Sequence, residues 1–331
     1  MSYKNFILAL LFAVILASYL GKWFWIFDIL SSFRIYYIVI SVAFFLFFIR
    51  FKNKTSSALF LTAIIIQIFT AYQSYNRPKI ISNYVISEDI TLLQYNAYYL
   101  NKSSNEIVEY ITKNHAQLDI IFLQEVTSEL KEELKAIEKY YPYKITNNEK
   151  WFDRAFYSKL PILNSEIKFF NNLNINPKSR DPYYNSHIHY ITAHLESSKH
   201  SIPLTIYGIH ANAPLSKKFA NLRNIELNII ADEIKNDVLN KHKILVGDFN
   251  TTPFSYWYNL LEESSGLMGT GFHNTWPDWI PFNLLKISID NTLVSNNITI
   301  EEKITKNSMG SDHLPVIIKL KLHSDIELSQ E

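Results

Sequence analysis

Apolar and polar residues give this chain two textures. Up to residue 77, three apolar runs dominate: Phe6–Trp25, Ile35–Ile49 and Ala58–Tyr72. Short pieces holding nearly all of the segment's charge separate them. A membrane-spanning helix needs roughly 17–25 mainly apolar residues. The first run has that length, and the others reach it if Arg34 and the Thr55–Ser57 flank are drawn in by snorkelling. Trp23, Trp25, Tyr36, Tyr37, Tyr72 and Tyr75 fall near the run ends, where aromatic belts form. The pattern predicts a membrane anchor of three transmembrane helices over residues 1–77 and a linker over 78–88. Lys4 before an apolar run also suits a cleaved signal peptide, but two further runs follow at once. Arg50, Lys52 and Lys54 favour a cytoplasmic loop between the second and third runs. That expectation makes the chain a multi-pass inner-membrane protein with residues 78–331 outside the cytoplasm, in the periplasm.

From Ile90 strand-like runs take over: DITLLQYNAYYL, LDIIFLQE, HIHYITAHLE, IPLTIYGIHA, KILVGDFN, SIDNTLVS and LPVIIKLKL. Between them lie helical patterns at Ser104–His115, Ser128–Tyr140 and Ser216–Leu239. In the last, Phe219, Leu222, Ile225, Ile229, Ile230 and Ile234 mark one face. Early alternation of strand and helix, with hairpin-like strand pairs in the middle, predicts a mixed sheet or two packed sheets flanked by helices.

Composition narrows the chemistry. The chain has no Cys, which excludes disulfides, a thiolate nucleophile and a thiolate metal site. The first 77 residues carry seven Lys/Arg and one acid, Asp28, out of 32 and 31 in all. Residues 78–331 therefore hold 25 basic and 30 acidic residues, a net of −5. That is not the basic surface of a protein gripping duplex phosphates through bulk electrostatics.

Acids, amides and histidines fall where strand-like runs stop. Asn96 follows TLLQY and Glu125 closes IIFLQ. His210 closes LTIYGI, with Asn212 beyond it. Asp248 and Asn250 close ILVG, and Asp290 sits in ISIDN. Asp312 and His313 precede the last strand. Strand ends gather on one edge of a sheet, where α/β folds bind ligands. Asp248 and Asn250, two apart, point the same way if the strand continues through both; a capped turn is the plainer reading. Oxygen donors without Cys suit a hard divalent ion such as Mg²⁺. Histidines beside carboxylates suit acid–base work near neutral pH. Together they predict metal-assisted hydrolysis of a phosphate ester. Four further histidines, His187, His189, His194 and His200, read as structural or exposed. Tyr157 reads as packed in a sheet, and Trp276 and Trp279 as lining the site mouth or meeting a bilayer.

GDFN, SDH, QE and an upstream Asn, in this order and spacing, resemble the endonuclease/exonuclease/phosphatase superfamily. That group includes pancreatic-type deoxyribonucleases, apurinic endonucleases, neutral sphingomyelinases and inositol polyphosphate phosphatases. The resemblance covers about Ile90 to Leu322. The apolar amino-terminal helices and the stretch GFHNTWPDW are similar to a bacterial membrane-anchored subgroup. It implies a four-layer α/β sandwich over residues 89–325. It also implies Glu125 as principal metal ligand, with Asn96 beside it and Asp312 near the metal, which would be Mg²⁺ or Mn²⁺. Asp248 would hold or deprotonate the attacking water and Asn250 would fix the phosphate. His210 would donate to a non-bridging oxygen, and His313 would be a phosphate contact or base oriented by Asp290. Asn212 and Asn291 are candidate substrate contacts; Asn212 also suits shaping the turn before Pro214, and Asn291 stands where many relatives carry His or Tyr.

The resulting expectation is a membrane-tethered phosphodiesterase or phosphatase acting on a phospholipid headgroup or nucleic acid, with no obligate protein partner. The net charge and the tether favour a lipid or small phosphoester, and loops such as Asn171–Tyr184 and Ser264–Lys286 would set the choice. The alternative is a non-catalytic membrane-tethered module that keeps the fold for binding.

Overall fold

The structure, a computed structural model, describes residues 3–75, 85–146, 153–170 and 189–324. Most of the expected linker (78–84), the loop Asn171–Tyr184 and His187 lie outside the described residues.

The amino-terminal segment forms α1 (Tyr3–Ala17), α2 (Trp25–Ser31), α3 (Arg34–Arg50) and α4 (Lys54–Tyr75). Among the described residues one helix, over Lys54–Ser74, is long and apolar enough to cross a membrane. The three-helix anchor is therefore corrected. The run Phe6–Trp25 breaks after Ala17 in turns around Gly21, so that α1, which starts at Tyr3, has 15 residues. At 1.5 Å per residue they reach roughly 22 Å, short of the ~30 Å hydrocarbon core. Only taken together do α2 and α3 pass the same test, and they are bent by 65° at their junction. This leaves one candidate span, or two, and carries neither the multi-pass topology nor the periplasmic placement.

The remaining chain builds two six-stranded mixed sheets. One contains β1 (Ile86–Asn96), β2 (Ile120–Val126), β3 (Tyr143–Thr146), β4 (Asp153–Ser158), β11 (Ile298–Thr305) and β12 (Val316–Ser324), ordered β11-β12-β1-β2-β4-β3. The other contains β5 (Ile162–Phe169), β6 (His189–Glu196), β7 (Pro203–His210), β8 (His242–Asp248), β9 (Met268–Gly269) and β10 (Asp290–Val294), ordered β5-β6-β7-β8-β10-β9. Each sheet has one parallel pair at its centre, β1 with β2 and β7 with β8. Helices α5 (Ser104–Asn114) and α6 (Ser128–Leu134) cover the first sheet; α7 (Lys217–Asn236) and α8 (Tyr256–Ser265) cover the second.

Successive strand residues point to opposite faces, and the core sorts them accordingly. Ile90 and Leu92 of β1, Phe122 of β2, Ile206 of β7, Val246 of β8 and Val294 of β10 meet between the sheets. Their neighbours Leu93, Ile121, Tyr207 and Leu245 face the helices instead. Continuing the inner rows of β1, β7, β8 and β10 by period two brings Asn96, His210, Asp248 and Asp290 to the same inner face. The polar residues thus cap the inter-sheet core at one end. Helix α7 presents Leu227, Ile230 and Ile234 to the second sheet and starts at Ser216, whose hydroxyl accepts from Phe219 N–H.

Two backbone features hold that end in shape. At Gly247 (φ +145°) a Cβ would lie 1.9 Å from the Ile209 carbonyl oxygen, so β7 approaches β8 too closely for any side chain. Glu226 of α7, fully buried, accepts from the Asn212 backbone N–H at 2.9 Å and from its side-chain amide, fixing the turn after β7. Burial pushes the Glu226 carboxyl up to about 7, against the opposing hydrogen bonds from Asn212 and the charges of Arg154 and Arg223.

Gly247→Ala should cost more than about 3 kcal/mol; an unchanged urea midpoint would reject the close approach. Glu226 binds its proton more tightly folded than unfolded, so its contribution falls as pH rises from the unfolded value near 4.3 to about 7. Relative to wild type, Glu226→Gln should therefore be more stable at pH 8 than at pH 4.5, by about 2–4 kcal/mol. Parallel unfolding curves for the two proteins across this range would refute the assignment.

Candidate active site

The site lies where the two parallel pairs end. β7 and β8 are in register at His210 opposite Asp248, and β8 and β10 at Asp248 opposite Asp290. Asn96 joins the sheets: its side-chain amide donates to Glu125 Oε1 at 3.1 Å and to Asp248 Oδ2 at 3.2 Å. By strand parity Gln124, not Glu125, belongs to the inner row. A bulge between Leu123 and Val126, with Glu125 in the left-handed region (φ 54°), breaks the parity and turns its carboxylate inward. Tyr98 (φ 59°) and Asn250 (φ 48°) share that costly conformation, so three of the five described non-glycine residues with positive φ lie here.

Six of the ten predicted residues line one cavity of about 430 Å³: Glu125, His210, Asp248, Asn250, Asp312 and His313. His210 Nε2 stands 3.6 Å from Glu125 Oε1 and 3.8 Å from Asp248 Oδ2. His313 Nε2 is 3.7 Å from Asp248 Oδ2 and 4.0 Å from Asp312 Oδ1, while its Nδ1 meets Asp290 Oδ2 at 2.8 Å. Asp290 therefore sits behind His313 and orients the ring. Burial raises the Asp248 carboxyl to about 8, with Asp290 adding to the rise and His313 opposing it. Burial also raises Glu125. For His313 burial works against the charge, but Asp290, Asp248 and Asp312 outweigh it and lift the ring to about 10. Desolvated acids this close hold protons they would lose in water, and a nearby cation would push the carboxyls back down.

The oxygens facing the cavity fit such a cation. Asp312 Oδ1 is buried without a hydrogen-bond partner, and Glu125 keeps both oxygens at the edge of the cavity, each accepting a single bond, from Asn96 Nδ2 and Tyr99 N–H. Asn96 Oδ1 accepts from Tyr98 N–H and retains a second lone pair. Ligand atoms of Asp248, Asp290 and His313 also lie within 4.8 Å of one another. The direct His313–Asp290 hydrogen bond leaves no room for an ion between those two groups.

Three predicted residues stand differently from expectation. Asn250 lies beyond the end of β8: its N–H donates to Asp248 Oδ1 at 2.8 Å and its side-chain amide to the Ala211 carbonyl at 2.9 Å. The capped turn and the site occur together there. Asn212 and Asn291 do not line the cavity. The amide of Asn291 donates to the carbonyls of Thr251, Ser288 and Ile289, stapling the loop after β8, and Asn212 is held by Glu226. Of the histidines read as structural, His189 is buried against Arg154 at 2.8 Å. Trp276, not Trp279, lines the cavity, and its indole N–H donates to Asp312 Oδ2 at 3.0 Å.

Several supporting residues carry no isolated sequence signal. Gln94 donates to Asp290 Oδ1 at 2.9 Å, and the Thr275 hydroxyl donates to Oδ2. The Ser311 hydroxyl donates to the Asn96 carbonyl at 2.7 Å and accepts from His313 N–H. Arg223 Nη1 donates to the Asn250 carbonyl at 3.1 Å. Period two along β1 could have exposed Gln94; Arg223 reads only as a helix residue.

No curated protein matches the sequence. Among solved structures, an endonuclease/exonuclease/phosphatase from Bacteroides vulgatus aligns with a TM-score of 0.57 at 17% identity, over 71% of this chain and 100% of that one. D. rerio TDP2 complexed with a single-strand DNA product aligns with a TM-score of 0.52 at 15% identity, over 70% and 99%. Sphingomyelinase C from Streptomyces griseocarneus gives a TM-score of 0.51 at 18% identity, over 70% and 99%. At such identities the likeness is one of fold. The family model described as Endonuclease/Exonuclease/phosphatase family matches residues 93–313, from within β1 to His313 itself. The chain belongs to the endonuclease/exonuclease/phosphatase family.

Proposed function

We propose that this protein is a bilayer-attached, divalent-metal-dependent phosphodiesterase. The observation that carries the reading is the convergence of Glu125, Asp248, His210 and His313 from both sheets on one cavity, with Asp290 bonded behind His313. The family supplies phosphoester hydrolysis as the reaction class. Helix α4 supports attachment to a membrane.

Glu125, Asp312 and Asn96 would hold the ion, Mg²⁺ or Mn²⁺, which when bound neutralises phosphate charge and makes bound water more acidic. The chain's own groups do the rest. Asp248, within reach of both histidines, holds the attacking water and takes its proton as the new P–O bond forms. His210 and His313 donate to phosphate oxygens, where negative charge grows as the ester P–O bond breaks. Asp290 accepts from His313 Nδ1–H and favours the doubly protonated ring, which leaves Nε2–H facing the substrate. Gln94 and Thr275 occupy the oxygens of Asp290, so it is held in place. The departing alcohol takes a proton from the histidine side of the cavity or from water.

With the full-length protein in detergent and bis(p-nitrophenyl) phosphate, Mg²⁺-dependent turnover should disappear on chelation. Asp248→Asn should lower kcat by about a hundredfold to ten-thousandfold. Turnover that survives both would exclude the mechanism, and metal binding without turnover would favour a binding module. Asp290→Asn should cost about ten- to a hundredfold in kcat through the His313 ring. A wild-type rate in that variant would remove Asp290 from the positioning role.

A further inference from the structure

The amino-terminal segment does not stand apart from the catalytic cavity. Ile29 of α2, and Ser32 and Phe33 just after it, line the cavity together with Glu125, His210 and Asp248. From the catalytic domain Leu215, Trp276 and Ile287 complete an apolar wall around the acid floor. A polar floor under apolar walls is unexpected for a substrate that is charged throughout.

The segment is fastened in place by a buried charge. Asp28 of α2 pairs with Arg223 of α7 at 2.5 Å and accepts from the Ser255 hydroxyl at 2.6 Å. Both Asp28 and Arg223 are almost completely buried. Leaving one partner of such a pair alone in the interior is strongly unfavourable, so the contact selects one docked position for α2. Further on, the Thr252 hydroxyl donates to Ser32 at 3.4 Å, and the Tyr36 hydroxyl donates to the Leu285 carbonyl. Through Arg223 the same pair reaches the Asn250 carbonyl in the loop after β8.

Charge and continuity identify the occupant. Apart from histidine, the one cation among the described residues lining the cavity is Arg223, and Asp28 already neutralises it. A nucleic-acid strand, with a charge on every nucleotide, would find no further cation there among the described residues to pair its flanking phosphates. The apolar wall instead takes Ile29 from α2 and Phe33 from its junction with α3, a helix almost wholly apolar between its terminal arginines. We infer that Ile29 and Phe33 form a subsite for a hydrocarbon substituent, so that the substrate is an amphipathic phosphoester of the phospholipid kind, its phosphate on the acid floor and its chain along α2. The inference rests on the phosphodiesterase reading and adds the substrate class to it.

The test uses full-length protein in detergent with Mg²⁺ and a series of alkyl p-nitrophenyl phosphates from methyl to dodecyl. All share one leaving group and differ only in chain. Burying two or three methylenes raises kcat/KM roughly tenfold or more, so the dodecyl ester should exceed the methyl ester by at least about that factor. In the double variant Ile29→Ser, Phe33→Ser the preference should shrink to within about threefold. A ratio of two substrates on one preparation cancels any loss of folded protein. Equal wild-type efficiencies would overturn the hydrocarbon subsite while leaving the phosphodiesterase reading intact. A preference that persists in the double variant would overturn the assignment to α2. Hydrolysis of neither ester would overturn the phosphodiesterase reading itself, and the subsite with it.

Discussion

Everything at this site depends on the alternation of side chains along a strand. Two sheets that bury their inner faces against each other must send every second residue into the space between them. Leu92, Ile206, Val246 and Val294 fill that space. Followed to the strand ends, the same rows reach Asn96, His210, Asp248 and Asp290. The rows are therefore apolar where they are enclosed and polar where the enclosure opens. Gly208 shows how tight the enclosure is: a Cβ there would come within 2.6 Å of the Phe122 ring in the facing sheet. Glu125 is the exception to parity, and the left-handed bulge that brings it inward is where the fold spends local conformational energy on function.

Electrostatics explains why so much of the surrounding structure is polar and buried. Asp248, Asp290, Glu125 and Asp312 crowd a small volume that water reaches poorly, and their mutual repulsion has to be offset. Asn96 bridges two of them, Gln94 and Thr275 hold a third, and Trp276 holds the fourth. His313 supplies the compensating positive charge. A second buried pair, Asp28 with Arg223, is placed just behind Asn250, so the loop after β8 is supported from the amino-terminal segment as well as from the sheet.

What the sequence disclosed and what it withheld divide along the same physical line. Asn96, Glu125, His210, Asp248 and His313 were legible because each interrupts a short apolar run, a local contrast. The seven strand-like runs correspond to β1, β2, β6, β7, β8, β10 and β12, whose apolar content is high. The strands β3, β4, β5, β9 and β11 were not among them: the exposed faces of β3, β5 and β11 dilute the pattern, β9 has only 2 residues, and β4 was seen only through the packing of Tyr157. The role of Arg223 was illegible, since its partner lies 195 positions away and nothing local distinguishes it from any other helix arginine. The bonding of Asn291 was only partly local: its amide reaches the Ser288 and Ile289 carbonyls nearby, but also Thr251, 40 positions away in the loop after β8. Apolar length alone overcounted the spans, because it ignores the turns at Gly21 and the bend between α2 and α3.

The strand order carries a consequence for how the protein comes into being. β12, the last strand among the described residues, lies next to β1, the first of the two sheets, and pairs with it from Ile86 to Gln94. His313 immediately precedes it. In chain order Asn96 and Glu125 come well before the strand that flanks β1 and the histidine just ahead of that strand. A partly made chain therefore has the acids of the site without the frame that holds them together. Assembly of the candidate site thus requires the chain through β12, and not its acids alone.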